Sequence, residues 1–245
     1  MTGNPAQTLD EIRRVRARSR QLAHGGAWLP AAVLAALVLL STVLYRYPIH
    51  ESYDMSASYP FWGGLPSAQR NDLASYAYWL LGLPAAFAVT AWWYRHRARR
   101  VGVRPPWRLF VAVGLGALVL ILVLLAVPKA PVADPQALMA WQLRWQDGLA
   151  TPLIAVAASL VALAWVERAP GLAVAGGWLG LLAWWQGAAG YGRIPGWLTW
   201  LLDGGSGPAL GGQTTLQAAG MLLLMTLPLL VWLGLTARRA RRGTR

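Results

Sequence analysis

Six stretches of this chain each run for about one membrane-spanning helix or more without a single charged side chain. No other feature limits its fold so strongly. The stretches are Gln21 to Tyr45, Leu73 to Tyr94, Leu109 to Pro128, Gly148 to Val166, Ala169 to Gly192 and Gly204 to Thr236. A backbone in hydrocarbon must satisfy its own hydrogen bonds, and a helix needs about 20 apolar residues to cross. The last stretch exceeds one span and opens with Gly204-Gly205-Ser206-Gly207-Pro208, which cannot be helix interior, so its helix is expected from Leu216.

The sequence therefore predicts an all-α integral membrane protein. Its core is a six-transmembrane helix bundle with spans at about 27–45, 73–94, 109–127, 148–166, 170–189 and 216–236. Composition agrees. Of the 245 residues, 56% are hydrophobic and only 13% charged, about half the charged share of a soluble domain. The net charge of +13 in so apolar a chain points to a lipid surface and not to nucleic acid. There is no cysteine, which removes disulfides and thiolate chemistry.

Basic residues set the orientation. With the N-terminus inside, the inner side holds Arg13, Arg14, Arg16, Arg18 and Arg20, then Arg95, Arg97, Arg99, Arg100, Arg104 and Arg108. It also holds Arg168 and the tail residues Arg238, Arg239, Arg241, Arg242 and Arg245. Of the basic residues, only Arg46, Arg70, Lys129, Arg144 and Arg193 fall outside. The expected protein is N-in/C-in and multi-pass in a bacterial cytoplasmic membrane, in contact with anionic inner-leaflet lipids. Trp28 to Tyr45 is too long for a signal-peptide core and has no clear cleavage site, so it reads as a retained helix.

Three regions follow: 1–26, a cytoplasmic basic segment; 27–236, the membrane domain; and 237–245, a cytoplasmic basic tail. In the first, Thr8-Leu9-Asp10-Glu11 has capping-box spacing. Leu9, Ile12, Val15, Ser19 and Leu22 share an arc, and Arg16 intrudes on it. That predicts an N-terminal amphipathic interfacial helix ending at Gly25-Gly26. Arg13, Arg14 and Arg18, with Arg97 and Arg100 of the inner loop, are candidates for contact with lipid or with a cytosolic partner.

Inside, Glu167-Arg168-Ala169-Pro170 is short enough to force an antiparallel hairpin between the fourth and fifth spans. Outside, three longer segments carry an aromatic set, Trp62, Trp141, Trp145, Trp197 and Trp200, which could form a cap at headgroup level. Leu138, Trp141 and Trp145 have the spacing of a short interfacial helix, and Pro195 to Leu202 is apolar but too short to span. Pro66-Ser67 suits entry into the second span, with Ser67 as N-cap. The same segments carry His50, Glu51, Asp54, Asp72, Asp134, Asp147 and Asp203. These groups could supply general acid–base chemistry or hold a divalent metal. They could equally be a solvated face, and their spacing matches no hydrolase or metal motif.

No ionisable residue lies in mid-span, which argues against a proton or ion path. Asp72, Asp147, Glu167 and Arg168 sit at span ends, where their side chains are expected to reach water. Ser41, Thr42, Ser75, Tyr76, Tyr78, Thr90, Ser159, Gln186 and Thr226 are expected to hydrogen-bond between helices. Gly176 and Gly180 form a Gly-x-x-x-Gly that suits close packing within one chain or at a homodimer seam. Gly204-Gly205-Ser206-Gly207 matches the short serine motif of intramembrane proteases, but all three histidines lie upstream and none is in mid-span. No nucleotide cradle is present, and no cofactor is expected.

The order of these parts resembles ABC-2-type exporter permease subunits: a basic amphipathic helix, six spans with both ends inside, a short cytosolic hairpin between the fourth and fifth, and apolar pieces between the fifth and sixth. The likeness covers Thr8 to Thr236 and carries no sequence motif. It implies a separate cytosolic ATPase and a homodimer. The Arg95 to Arg108 loop is short for a coupling helix, and the first outer loop is long. Arg in place of Lys, with abundant Ala, Leu and Gly, resembles the usage of actinobacterial membrane proteins. Three classes stay open: a non-catalytic bundle that scaffolds, senses or protects through its aromatic outer cap; a permease or accessory subunit; and a membrane enzyme acting on lipid or cell-wall material.

Overall fold

Runs rich in Ala, Leu and Val become helix, and among the described residues five helices carry the fold. They are α1 (Trp28–Leu40), continued by a 3₁₀ turn at Ser41–Leu44; α2 (Asp72–Val101); α3 (Pro152–Glu167); α4 (Pro170–Ala189); and α5 (Ala218–Arg242). The computed structural model describes residues 26–49, 64–65, 69–101, 111–112, 114, 116, 149, 151–189, 196, 198 and 217–242. Among them there is no β-strand, only an isolated antiparallel bridge between Tyr45 and Gln69. The N-terminal amphipathic helix and the interfacial helix around Trp141 lie outside the described residues. So does most of 109–127, expected as a third span, although Val111, Ala112, Gly114 and Gly116 are helical and Gly114 lies against the Phe87 ring of α2.

Among the described residues two helical stretches, Leu73–Arg99 and Ala218–Arg239, are long and apolar enough to cross a membrane. Trp28–Leu44 and Pro152–Glu167 are shorter apolar helices. α2 does not stop at Tyr94, where its apolar run ends, but carries on through Arg95 to Val101, because arginine is a good helix former and hydropathy does not mark a helix end. Its start falls within one residue of expectation, but its cap does not. The helix begins at Asp72, and Asn71 Oδ1 accepts from the Ala74 amide at 3.2 Å, so Asn71 and not Ser67 caps it. α3 opens on Thr151-Pro152: the threonine hydroxyl accepts from the Leu153 amide at 3.3 Å, and proline takes the first turn, where its missing N–H costs nothing.

Around the bundle the neighbours run α3, α4, α5, α1, α2. The α3–α4 hairpin is the most extensive pairing, reversed by Arg168 in the left-handed conformation (φ 51°, ψ 42°). A Cβ on Gly176 would lie 3.0 Å from the Ala157 carbonyl oxygen and 3.0 Å from Leu160 Cβ, and one on Gly180 3.2 Å from Ala157 Cβ. The Gly-x-x-x-Gly of α4 is therefore spent on α3 of the same chain. The core is apolar: Val38, Trp79, Val156, Leu160, Leu172, Leu179, Leu182, Met221, Leu222, Met225 and Leu229 are all fully buried.

The small hydroxyls do not hold the helices together as expected. Ser41 donates to Val38 O, Thr90 to Ala86 O, Ser159 to Ala155 O and Thr226 to Leu222 O, all within their own helices. A short side chain reaches its own preceding turn more easily than a neighbouring helix. Longer side chains make the crossings. Tyr78 donates to Leu37 O at 2.6 Å, Trp178 Nε1 to Leu224 O at 2.9 Å, and Gln186 Nε2 to Met221 Sδ at 3.7 Å.

Candidate functional site: a buried carboxylate at the basic end

The helix directions bring one set of ends together. Tyr94, near the end of α2, reaches Glu167 at the end of α3; Trp93 reaches Gly26 just before α1; and the Trp232 ring of α5 lies on Gly171 at the start of α4. This end carries Arg95, Arg97, Arg99, Arg168, Arg238, Arg239 and Arg241. Glu167 is its one acidic residue among the described residues.

Glu167 does not reach out to water. It is 6% exposed, against the expectation for a span-end charge. Its Oε1 accepts the Tyr94 hydroxyl at 2.6 Å, and its Oε2 faces the Gly26 amide at 3.4 Å. Arg97 packs beside them: a Cβ on Gly26 would collide with its guanidinium and lie 3.2 Å from Glu167 Oε1. Trp93 donates Nε1 to the Gly26 carbonyl at 2.8 Å, and its ring meets Trp28 edge-on at 5.5 Å.

The physical reason lies in helix ends. At the C-terminus of α3 a carboxylate faces the negative end of its own dipole. The N-termini of α1 and α4 stand at the same end of the bundle and offer free amides and positive potential. α1 needs this help, because its N-cap is Ala27, which has no side-chain acceptor. Glu167 thus holds the backbone just ahead of a helix far away in sequence, Tyr94 occupies its other oxygen, and the Arg97 guanidinium lies close by. A carboxylate so engaged joins three helices; it is not placed as a free general base.

The opposite end is closed mainly by side chains that meet backbone groups. Tyr45 is buried, and its hydroxyl accepts the Leu65 amide at 2.7 Å. Gly64 beside it has φ +123°, where a Cβ would be strained and would fall 2.5 Å from the Tyr45 hydroxyl. Thr151 donates its hydroxyl to Gly64 O at 3.0 Å. Arg70 bonds Leu44 O through its amide (2.8 Å) and Tyr45 O through Nε (3.0 Å), and Ala219 N–H donates to Pro48 O at 3.1 Å. This end ties α1, the approach to α2, α3 and α5.

The sites named from sequence fall largely elsewhere. His50, Glu51, Asp54, Asp134, Asp147 and Asp203 lie outside the described residues, as do Trp62, Trp141, Trp145, Trp197 and Trp200 and the arginines Arg13, Arg14 and Arg18. Asp72 is the first residue of α2 and Arg100 one of its last. Among the described residues no three His, Asp or Glu come together as metal ligands would. Sequence reasoning missed the Glu167–Tyr94–Gly26 junction. Its one signal was an acid beside Arg168 in the short connection on the side expected to be basic. No known protein family, characterised protein or solved structure matches this chain.

Proposed function

We propose that this chain is a multi-pass integral membrane protein of non-catalytic type, with both termini on the cytoplasmic side. It acts as a scaffold or sensor whose basic end is held closed by Glu167. The observation that carries this reading is the outer surface of the bundle. Leu40 (61% exposed), Leu81 (71%), Val161 (45%), Val174 (67%) and Val231 (53%) stand on five different helices, between ends where the charges gather. A water-soluble monomer seldom exposes so many large apolar side chains all round, whereas acyl chains would cover them at no cost. The buried carboxylate points the same way. It is engaged by structural partners, as in a static joint, and its two donors, the Tyr94 hydroxyl of α2 and the Gly26 amide ahead of α1, come from two separate chain segments.

Native membranes stripped with alkaline carbonate, followed by mild-detergent purification and mass spectrometry of bound proteins, test the reading. The expected result is retention in the carbonate pellet and recovery with a stable protein partner or as itself. Release by carbonate would overturn the membrane assignment. A stoichiometric cytosolic ATPase would replace the scaffold with a permease subunit.

A further inference from the structure

One face of α2 changes character along its length in the order in which a phospholipid changes. Leu81 (71% exposed) and Val89 (40%) lie in the apolar stretch, Trp92 (61%) follows one turn later, and exposed Arg95 and Arg99 complete the stripe. These positions recur at intervals of three, four and eight, so they share one side of the helix, away from the Phe87 face that meets Gly114. His96 stacks on Trp92 at 5.6 Å with the rings 14° apart, which holds the indole upright at the level where the apolar surface ends. At this end the acid that would compete for the arginines is buried: Glu167 faces inward to Tyr94 and Gly26. Among the described residues, every charged side chain on the outward surface there is basic, beside exposed apolar groups such as Trp165 and Val166.

We infer that the exposed face of α2 is a binding site for an anionic phospholipid of the basic-side leaflet, acyl chain along Leu81 and Val89, glycerol region against Trp92 and phosphate on Arg95 and Arg99. Charge complementarity selects this occupant. Two guanidiniums within four residues give a forked set of donors for a phosphodiester, and an interfacial tryptophan one turn below marks the depth of the ester groups. A protein partner would bring its own acids to the arginines but would leave the apolar track beneath Trp92 without a counterpart.

The inference rests on the membrane reading, and its test separates the two. The full-length protein is purified with mixed phosphatidylglycerol and phosphatidylcholine of the same acyl chains, and retained lipid is counted by native mass spectrometry. The wild type is expected to retain phosphatidylglycerol preferentially. Arg95→Gln with Arg99→Gln should lower that preference by about fivefold per arginine, the change matching one basic side chain near an anionic surface. Trp92→Ala should lower retention without altering charge, whereas Arg238→Gln with Arg239→Gln, on α5, should leave the preference in place. An equal loss in the α5 pair would reduce the effect to general surface charge and overturn the site, as would an unchanged preference in the α2 pair. A protein that retains both lipids without preference keeps the membrane reading and loses this inference; one released from membranes by carbonate loses the reading first. Elution volume and helical circular dichroism of each variant identify a misfolded one. His96→Gln, which keeps a planar group on Trp92, should retain the preference, and its loss there would count against phosphate contact through the arginines.

Discussion

Glu167 occupies the unfavourable end of its own helix and is stabilised by helices that begin where α3 ends. The magnitude of that arrangement follows from its parts. A carboxylate at a partly buried helix N-terminus contributes up to about 2 kcal/mol. Hydrogen bonds between helices in a bilayer average near 0.6 kcal/mol and reach about 1.7, because the chain separated within the membrane finds other partners. The Tyr94 bond is short and has a charged acceptor, so it belongs at the upper end of that range. Tyr94→Phe should therefore cost about 1–2 kcal/mol, read as a lower midpoint of thermal unfolding in detergent. Glu167→Ala should cost more, about 2–4 kcal/mol, since it strips an acceptor from Tyr94, Gly26 and the neighbourhood of Arg97 together. Equal midpoints for the two variants would show that Arg97 and Gly26 gain nothing from the carboxylate. At the other end, Gly64→Ala meets both a positive φ and the Tyr45 hydroxyl, and about 1–3 kcal/mol of destabilisation is expected. None of these roles is visible in spacing, because a residue's neighbours in sequence do not reveal which helix end it will face.

At the scale of elements, the α3–α4 hairpin was readable from its four-residue connection, and the structure adds how closely the helices approach. Gly176 lies against the Ala157 carbonyl, a backbone atom that cannot swing aside, while nothing lies within 4 Å of a Cβ built on Gly177. Two adjacent glycines should therefore answer oppositely to the same change. Gly176→Ala should loosen the hairpin and lower the unfolding midpoint. Gly177→Ala should leave it unchanged or raise it, by up to about 1 kcal/mol from helix propensity. A loss of similar size at Gly177 would mean that its open side is covered by another chain. Helix ends were less readable than helix bodies. The apolar run expected as a second span ends at Tyr94 but α2 runs on to Val101, and Asn71 does the capping expected of Ser67. Hydropathy reports solvent, whereas caps and arginine propensity decide where the backbone turns. The expectation for small hydroxyls failed on reach, since serine and threonine back-bond to their own helix and Tyr78, Trp93, Tyr94 and Trp178 make the longer crossings.

For the whole molecule, the two ends differ in what closes them, a buried carboxylate with its donors at the basic end, and the Tyr45 and Thr151 hydroxyls and the Arg70 side chain on backbone groups at the other. If the bundle lies in the membrane with its basic end inside, cysteines placed at the two ends should label differently. The native chain has no cysteine to interfere. Ile49 is 72% exposed beyond the 3₁₀ turn, and Ala237 is exposed beside the tail arginines of α5. In intact cells, Ile49→Cys should react with a membrane-impermeant thiol reagent and Ala237→Cys should not until the cells are opened; the reverse pattern would invert the orientation. The sequence by itself determined that the chain is helical and that its charges gather at helix ends, because hydropathy and charge are properties of each segment alone. Only the tertiary structure decided that Glu167 turns inward, that Gly176 and Gly180 of α4 pack on α3, and that long side chains, Tyr78, Trp178 and Gln186 among them, make the crossings. Those outcomes depend on which helix ends meet in space, and the free energy that settles them, dipoles facing a carboxylate and a phenol reaching across a groove, exists only once the helices are packed.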